Sequence, residues 1–140
     1  MGFTKFVQPA TERTHKIFLD IDDHRGQPAL IVRYAGHGND AYVNGMYKRP
    51  PVPGAASAER DKLDRELDAP ILAETVVVGW EHIYEDGSDT PAPFETAKVT
   101  ELLLAIARSR PALFIAIRTI ARTEAFFREP AVASEDLGKG

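Results

Sequence analysis

Cysteine is absent from this chain of 140 residues, and tryptophan occurs once. Without thiols there is neither a disulfide nor a thiolate-bound zinc, and a reducing compartment is allowed. Long apolar runs are missing too. The best of them, PALFIAI at 111–117, is cut off by Arg118, well short of the roughly 18 residues that a membrane span needs. The opening MGFTKFVQPATERTHK has no apolar core of a secretory signal, so a cytosolic protein is expected. A dominant basic stripe, which would collect phosphates, is also lacking, and this sets nucleic acid aside as a partner.

What remains is ordinary globular material. Hydrophobic residues make up 44% and charged ones 27%, which excludes wholesale disorder. The length suits one domain, taken as 1–128, with a small polar tail at 129–140 expected to be flexible. The net charge of −4 is unevenly spread. Residues 57–89 carry 3 Lys/Arg against 10 Asp/Glu, whereas 90–128 carry 6 against 3. An acidic helix can therefore meet a basic one, within a chain or between copies.

The pattern predicts an α+β fold, mostly α: an N-terminal β-hairpin over 16–35, then a small bundle of about four helices. KIFLDI (16–21) and ALIVRYA (29–35) are short and apolar, and flank the turn DDHRGQP. Asn39 or Asp40 can cap a short helix to residue 48, which Gly45 weakens. Three prolines in RPPVPGAAS (49–57) break it. Ser57 caps a charged helix over 58–68, with Arg60/Asp64, Asp61/Arg65 and Lys62/Glu66 spaced i, i+4. Pro70 is read as the first turn of a new core helix over 70–84, although TVVV alone also suits a strand. Helices over 95–108 and 111–128 follow.

No catalytic constellation is visible, and no cofactor or metal site is expected. DIDDHRG spaces carboxylates like a calcium loop, but the twelfth position from Asp20 is Ile31 rather than a bidentate Glu. His15, His24, His37 and His82 lack zinc-ligand spacing, and no HExxH, GxSxG, Walker or GxGxxG pattern occurs. The chain reads as a binding protein, not an enzyme.

The order of pieces goes further. Asn39-Asp40-Ala41-Tyr42 follows the hairpin, Ala73 to Glu81 reads AETVVVGWE, an acidic Asp86-Gly87 turn precedes Pro93-Phe94, and the helices close on Phe127-Arg128. Over about residues 16–129 this order resembles the tail assembly chaperones of long-tailed bacteriophages and gene transfer agents. The resemblance marks Asn39, Tyr42, Gly79, Trp80, Glu81 and Phe94 as motif residues. It implies a protein of the host cytoplasm that coats the tape measure protein in many self-associating copies, keeps it soluble until the tail tube polymerises, and is absent from the mature particle. The tail tube protein is a further implied partner. Trp80 would then end the central helix and clamp the Asp-Gly loop and Pro93-Phe94, or else stand exposed as an anchor for a partner helix.

For partner contacts the last helix is the candidate. Phe114, Ile115, Ile117, Ile120, Phe126 and Phe127 surround more of its circumference than one core stripe needs, and Arg118 and Arg122 could pair with the acidic helix of a neighbour. All of it could equally be core and solvated face. The rivals are a permanent tail completion or connector protein, and a small metal enzyme using Asp20, Asp22 and Asp23.

Overall fold

The computed structural model describes residues 13–128; the tail expected over 129–140 lies outside them. Three strands, β1 (Thr14–Phe18), β2 (Ala29–Arg33) and β3 (Val77–Glu81), form an antiparallel sheet in the order β1-β2-β3. Four helices accompany it: α1 (Asp40–Lys48), α2 (Ala58–Thr75), α3 (Thr96–Ser109) and α4 (Pro111–Arg122). A 3₁₀ turn, Glu124–Phe127, closes the described chain. The fold is the predicted mixture, with an N-terminal hairpin enlarged to a sheet. None of the described helices is long and apolar enough to cross a membrane.

The hairpin follows from alternation. Ile17 and Leu19 turn inward while Lys16 and Phe18 turn out, and Leu30 and Val32 of β2 join the inner layer. Against them pack Leu72 of α2, Val99 and Leu103 of α3, Phe114 and Ile117 of α4, and Phe127 of the closing turn. The core is thus a sheet with one face under helices. The other face leaves Phe18 and Val78 exposed beside a Lys16–Glu81 ion pair of 2.8 Å that spans β2.

Two expectations about the middle of the chain are corrected. The helix expected to break at Pro70 does not: α2 runs unbroken from Ala58 to Thr75. Pro70 sits on its solvent side, where the Glu66 carbonyl deprived of an amide partner lies within reach of water. The helix then expected over 70–84 stops at Thr75, and Val77–Glu81 pairs with β2 instead. The β-branched run Thr75-Val76-Val77-Val78 loses side-chain freedom in a helix but fits a pleated surface. A two-stranded hairpin is also marginal until a third strand joins. A register irregularity between Ile31 and Val32 accommodates the join.

The last helix, expected to reach 128, ends at Arg122. Thr123 is extended, and its hydroxyl donates to the Thr119 carbonyl. The turn that follows sends Phe127 into the core and leaves Phe126 outside. Gly45 proves useful rather than merely weakening. A Cβ there would lie 3.0 Å from Ile71 Cγ2, so its absence lets α1 approach α2 closely.

Candidate functional site

Beside β3 the chain forms a cleft of about 380 Å³. Trp80 lies at its base, Ile83 to Asp86 form one wall, and Lys98, Glu101, Leu102 and Ala105 of α3 form the other. Spacings of three and four residues place those α3 side chains on one helix face, which flanks the stripe of core residues Val99, Leu103 and Ile106. Trp80 is held twice. Its indole Nε1 donates to the Ala92 carbonyl at 3.1 Å, and Phe94 meets it edge to face at 5.5 Å between ring centres. Trp80 thus meets Ala92 and Phe94, from a strand rather than a helix end and with the indole only half-buried.

The wall loop is fixed from the hairpin side. Arg25 makes a two-pronged bond to Asp23, donates to the Ser88 carbonyl at 2.7 Å and stacks over the Tyr84 ring at 3.7 Å. Arg25 accordingly holds the Asp23 carboxyl far below its usual range, chiefly through that hydrogen bond.

Charge around the cleft is lopsided. Lys98 pairs with Glu85 at 2.7 Å, and this bond raises the lysine above its usual range, with Glu101 and Glu95 adding to the effect. Asp86 and Glu101 have no ion-pair partner among the described residues. The cleft is therefore apolar at its base and negative at its rim.

A second cluster centres on the buried Asp68. Asp68 of α2 accepts from Arg49 at 2.6 Å and from Arg118 at 2.7 Å, with Arg122 at 3.5 Å. Asp64, one turn earlier, accepts from the same Arg49 at 2.7 Å and Arg118 at 3.0 Å. Burial pushes the Asp64 carboxyl up, but the two guanidiniums outweigh it and hold it below its ordinary value. Arg122 also donates to the Tyr42 hydroxyl at 2.9 Å. One cluster thus ties α1, α2 and α4 together. The basic and acidic helices meet within one chain, and Arg118 and Arg122 are engaged here rather than awaiting a neighbour.

Asn39 is a third junction. Its side-chain oxygen caps α1 at the Tyr42 amide and accepts from Arg33, while its amide donates to the carbonyls of Tyr34 and Thr75. Every donor and acceptor of a buried side chain among the described residues finds a partner.

The remaining marked residues divide by exposure. Phe114 is fully buried and Phe126 is 45% exposed, its ring 4.9 Å from that of His15. Glu81 serves the ion pair on the outer sheet face. Gly79 pairs with Ile31 from the middle of the edge strand β3 without a left-handed backbone. No group of three or more His, Asp or Glu among the described residues is placed to hold a metal ion. Arg49 and Asp68 went unmarked in the sequence, and the i, i+4 pairs expected along α2 do not form: Asp64 turns to Arg49 and Arg118 rather than Arg60, Arg65 to the Ala107 carbonyl, and Glu66 to Arg108. Asp64/Asp68 and Arg118/Arg122 each set like charges one turn apart. Such repelling pairs require partners from elsewhere.

Among known families, a model described as YdaY prophage protein matches residues 43–139, a span that includes β3, the cleft and the Arg49–Asp68 pair. No curated protein and no solved structure matches the chain.

Proposed function

The chain belongs to the YdaY prophage protein family, and from that premise we propose that it is a tail assembly chaperone, holding the tape measure protein in solution in the host cytoplasm until tail tube subunits polymerise around it. The observation that carries this reading is where the apolar side chains stand. Tyr47 is 90% exposed and Phe18 52%, with Val43, Val78, Phe94, Ile115 and Phe126 each exposed by more than 40%. Val43 and Tyr47 stand one turn apart on one face of α1, and exposed apolar side chains so placed suit weak contacts along a long apolar chain. Weak contacts sum by avidity when copies line up on one polymer, yet each is displaced readily when the tube closes. The buried polar groups, by contrast, are occupied with one another, and they serve the fold.

The sequence resemblance points the same way. Its motif residues Asn39, Tyr42, Trp80 and Phe94 all hold structural junctions, as a shared scaffold requires. The test is co-expression with the tape measure protein of the same prophage. The tape measure protein should move into the soluble fraction and co-purify with this chain, and mature particles should lack it. Equal precipitation with and without the chain sinks the reading; recovery of the chain at fixed stoichiometry from mature particles replaces it with a structural tail protein.

A further inference from the structure

We propose that the cleft beside Trp80 is the docking groove for a basic amphipathic helix, a partner segment with an apolar ridge flanked by Lys or Arg. The inference rests on the chaperone reading for the partner's identity, a helix of the tape measure protein. It rests on the cleft alone for the partner's chemistry.

Shape comes first. One wall is the α3 face from Lys98 to Ala105, about two helical turns, and the other is the loop after β3, so the cleft lies beside a helix. Trp80, Ile83, Leu102 and Ala105 supply the apolar lining. Ala105 is exposed and small, which leaves room for a bulky side chain from above. An apolar ridge with side chains one turn apart is the complement of such a groove. Trp80 is already fixed by its bond to Ala92 and by Phe94, so docking costs little side-chain freedom at the anchor.

Charge then selects the partner. Glu85 answers the single lysine of the rim, and Asp86 and Glu101 are left over. This rim repels phosphate, so neither nucleic acid nor an anionic lipid surface fits. A second copy of this chain is also a poor match. Arg108 is bound to Glu66, and Arg118 and Arg122 are bound to Asp68, so α3 and α4 present no free arginine face. α1 exposes Val43 and Tyr47, but it is nine residues long and offers a single lysine at its end.

Trp80 is the only tryptophan, so its emission reports on the groove directly. The full chain is titrated with a tryptophan-free helical peptide of about 18 residues carrying Leu at i, i+3, i+4 and i+7 with Lys flanks, and with its twin carrying Glu flanks. The Lys peptide should shift the emission and saturate, weakening as salt rises, while the Glu peptide binds about tenfold more weakly or worse. Ala105→Arg keeps a good helix former on an exposed position. It should melt like the parent chain yet lose about tenfold or more in affinity for the Lys peptide.

Equal binding of the two peptides, silent emission, or an Ala105→Arg chain that binds as well as the parent each overturns the inference. So does an emission change that follows protein concentration alone with rising mass, since the groove's occupant is then another copy. The two readings fail separately. If Ala105→Arg still solubilises the tape measure protein fully, the groove assignment falls and the chaperone stands. If the parent chain takes the Lys peptide but never solubilises the tape measure protein, the chaperone falls and the groove's chemistry stands.

Discussion

Arg49 and Asp68 meet at 2.6 Å although nineteen positions separate them, and the aspartate side chain is only 2% exposed. A carboxylate so shielded is tolerable only because guanidiniums from Arg49, which caps α1, and from α4 surround it. Removing it should be costly out of proportion to its one charge. Asp68→Ala leaves Arg49 and Arg118, each about 15% exposed, competing for Asp64 alone. We expect a loss of about 3–5 kcal/mol in urea unfolding. Arg122→Ala, whose contact is longer and half in water, should cost only about 1 kcal/mol. Equal losses from the two would mean that the network is not centred on Asp68.

Acid should unfold this protein through a small set of carboxylates. Asp64 is held low because Arg49 and Arg118 outweigh its burial, Glu66 by its bond to Arg108, and Asp23 by its bonds to Arg25. In each case the unfolded chain takes up a proton at a higher pH than the folded one. Stability contributed by these groups is therefore complete above the ordinary carboxylate range of about 3.9–4.3, and it drains away as pH falls through their lowered folded values. Melting temperature recorded between about pH 2 and pH 7 should be flat near neutrality and fall steeply on the acid side. Asp64→Asn, which no longer titrates, should start lower and show a shallower acid limb. An unchanged limb would place the acid sensitivity elsewhere.

The hairpin, α1 and α3 were legible because each shows a simple period and a clean stop: alternation in KIFLDI, a cap at Asn39, apolar spacing from Val99 to Ile106. β3 was not, since Val76 to Val78 satisfies both a strand and a buried helix face, and only pairing with β2 decides between them. Pro70 misled for a related reason. A proline marks a helix start in sequence, but whether it interrupts depends on which side of the helix it faces. At the candidate site, the importance of Trp80 and Phe94 could be read from the motif, but the rim could not. Glu85, Lys98 and Glu101 lie on separate elements, and nothing local says that they face one cleft. Phe114 and Phe126 lie twelve positions apart and differ in exposure because Thr123 ends the helix between them, a choice made by tertiary packing.

Asn39 should matter more than a helix cap usually does. Loss of a cap costs about 0.5–2 kcal/mol. Here Asn39→Ala also strips the Tyr34 and Thr75 carbonyls of a donor and Arg33 of an acceptor in a buried place. Thermal and urea unfolding should show a loss of about 3 kcal/mol. Asn39→Asp is the control: it keeps the cap but presents oxygen to two carbonyls, so it should be nearly as damaging. If Asp restores stability, the cap alone explains Asn39.

Gly26 and Gly79 make opposite demands. Gly26 has φ +135, and a Cβ there would collide with the His82 imidazole, so Gly26→Ala should cost about 1–3 kcal/mol even if the imidazole swings away. Gly79 sits in β3 with an ordinary backbone, and a Cβ there would meet Ile31 Cδ1 at 3.5 Å, a normal contact. Gly79→Ala should therefore raise stability, by up to about 1 kcal/mol, by narrowing the unfolded ensemble. The fold offers no steric reason for a glycine within AETVVVGWE. A bare backbone on a sheet face that no helix covers does permit another molecule to approach closely. The decisive measurement pairs melting with solubilisation of the tape measure protein. A Gly79→Ala chain that melts higher yet solubilises less would assign this glycine to the partner, while one that melts higher and works normally would leave it without a role in either.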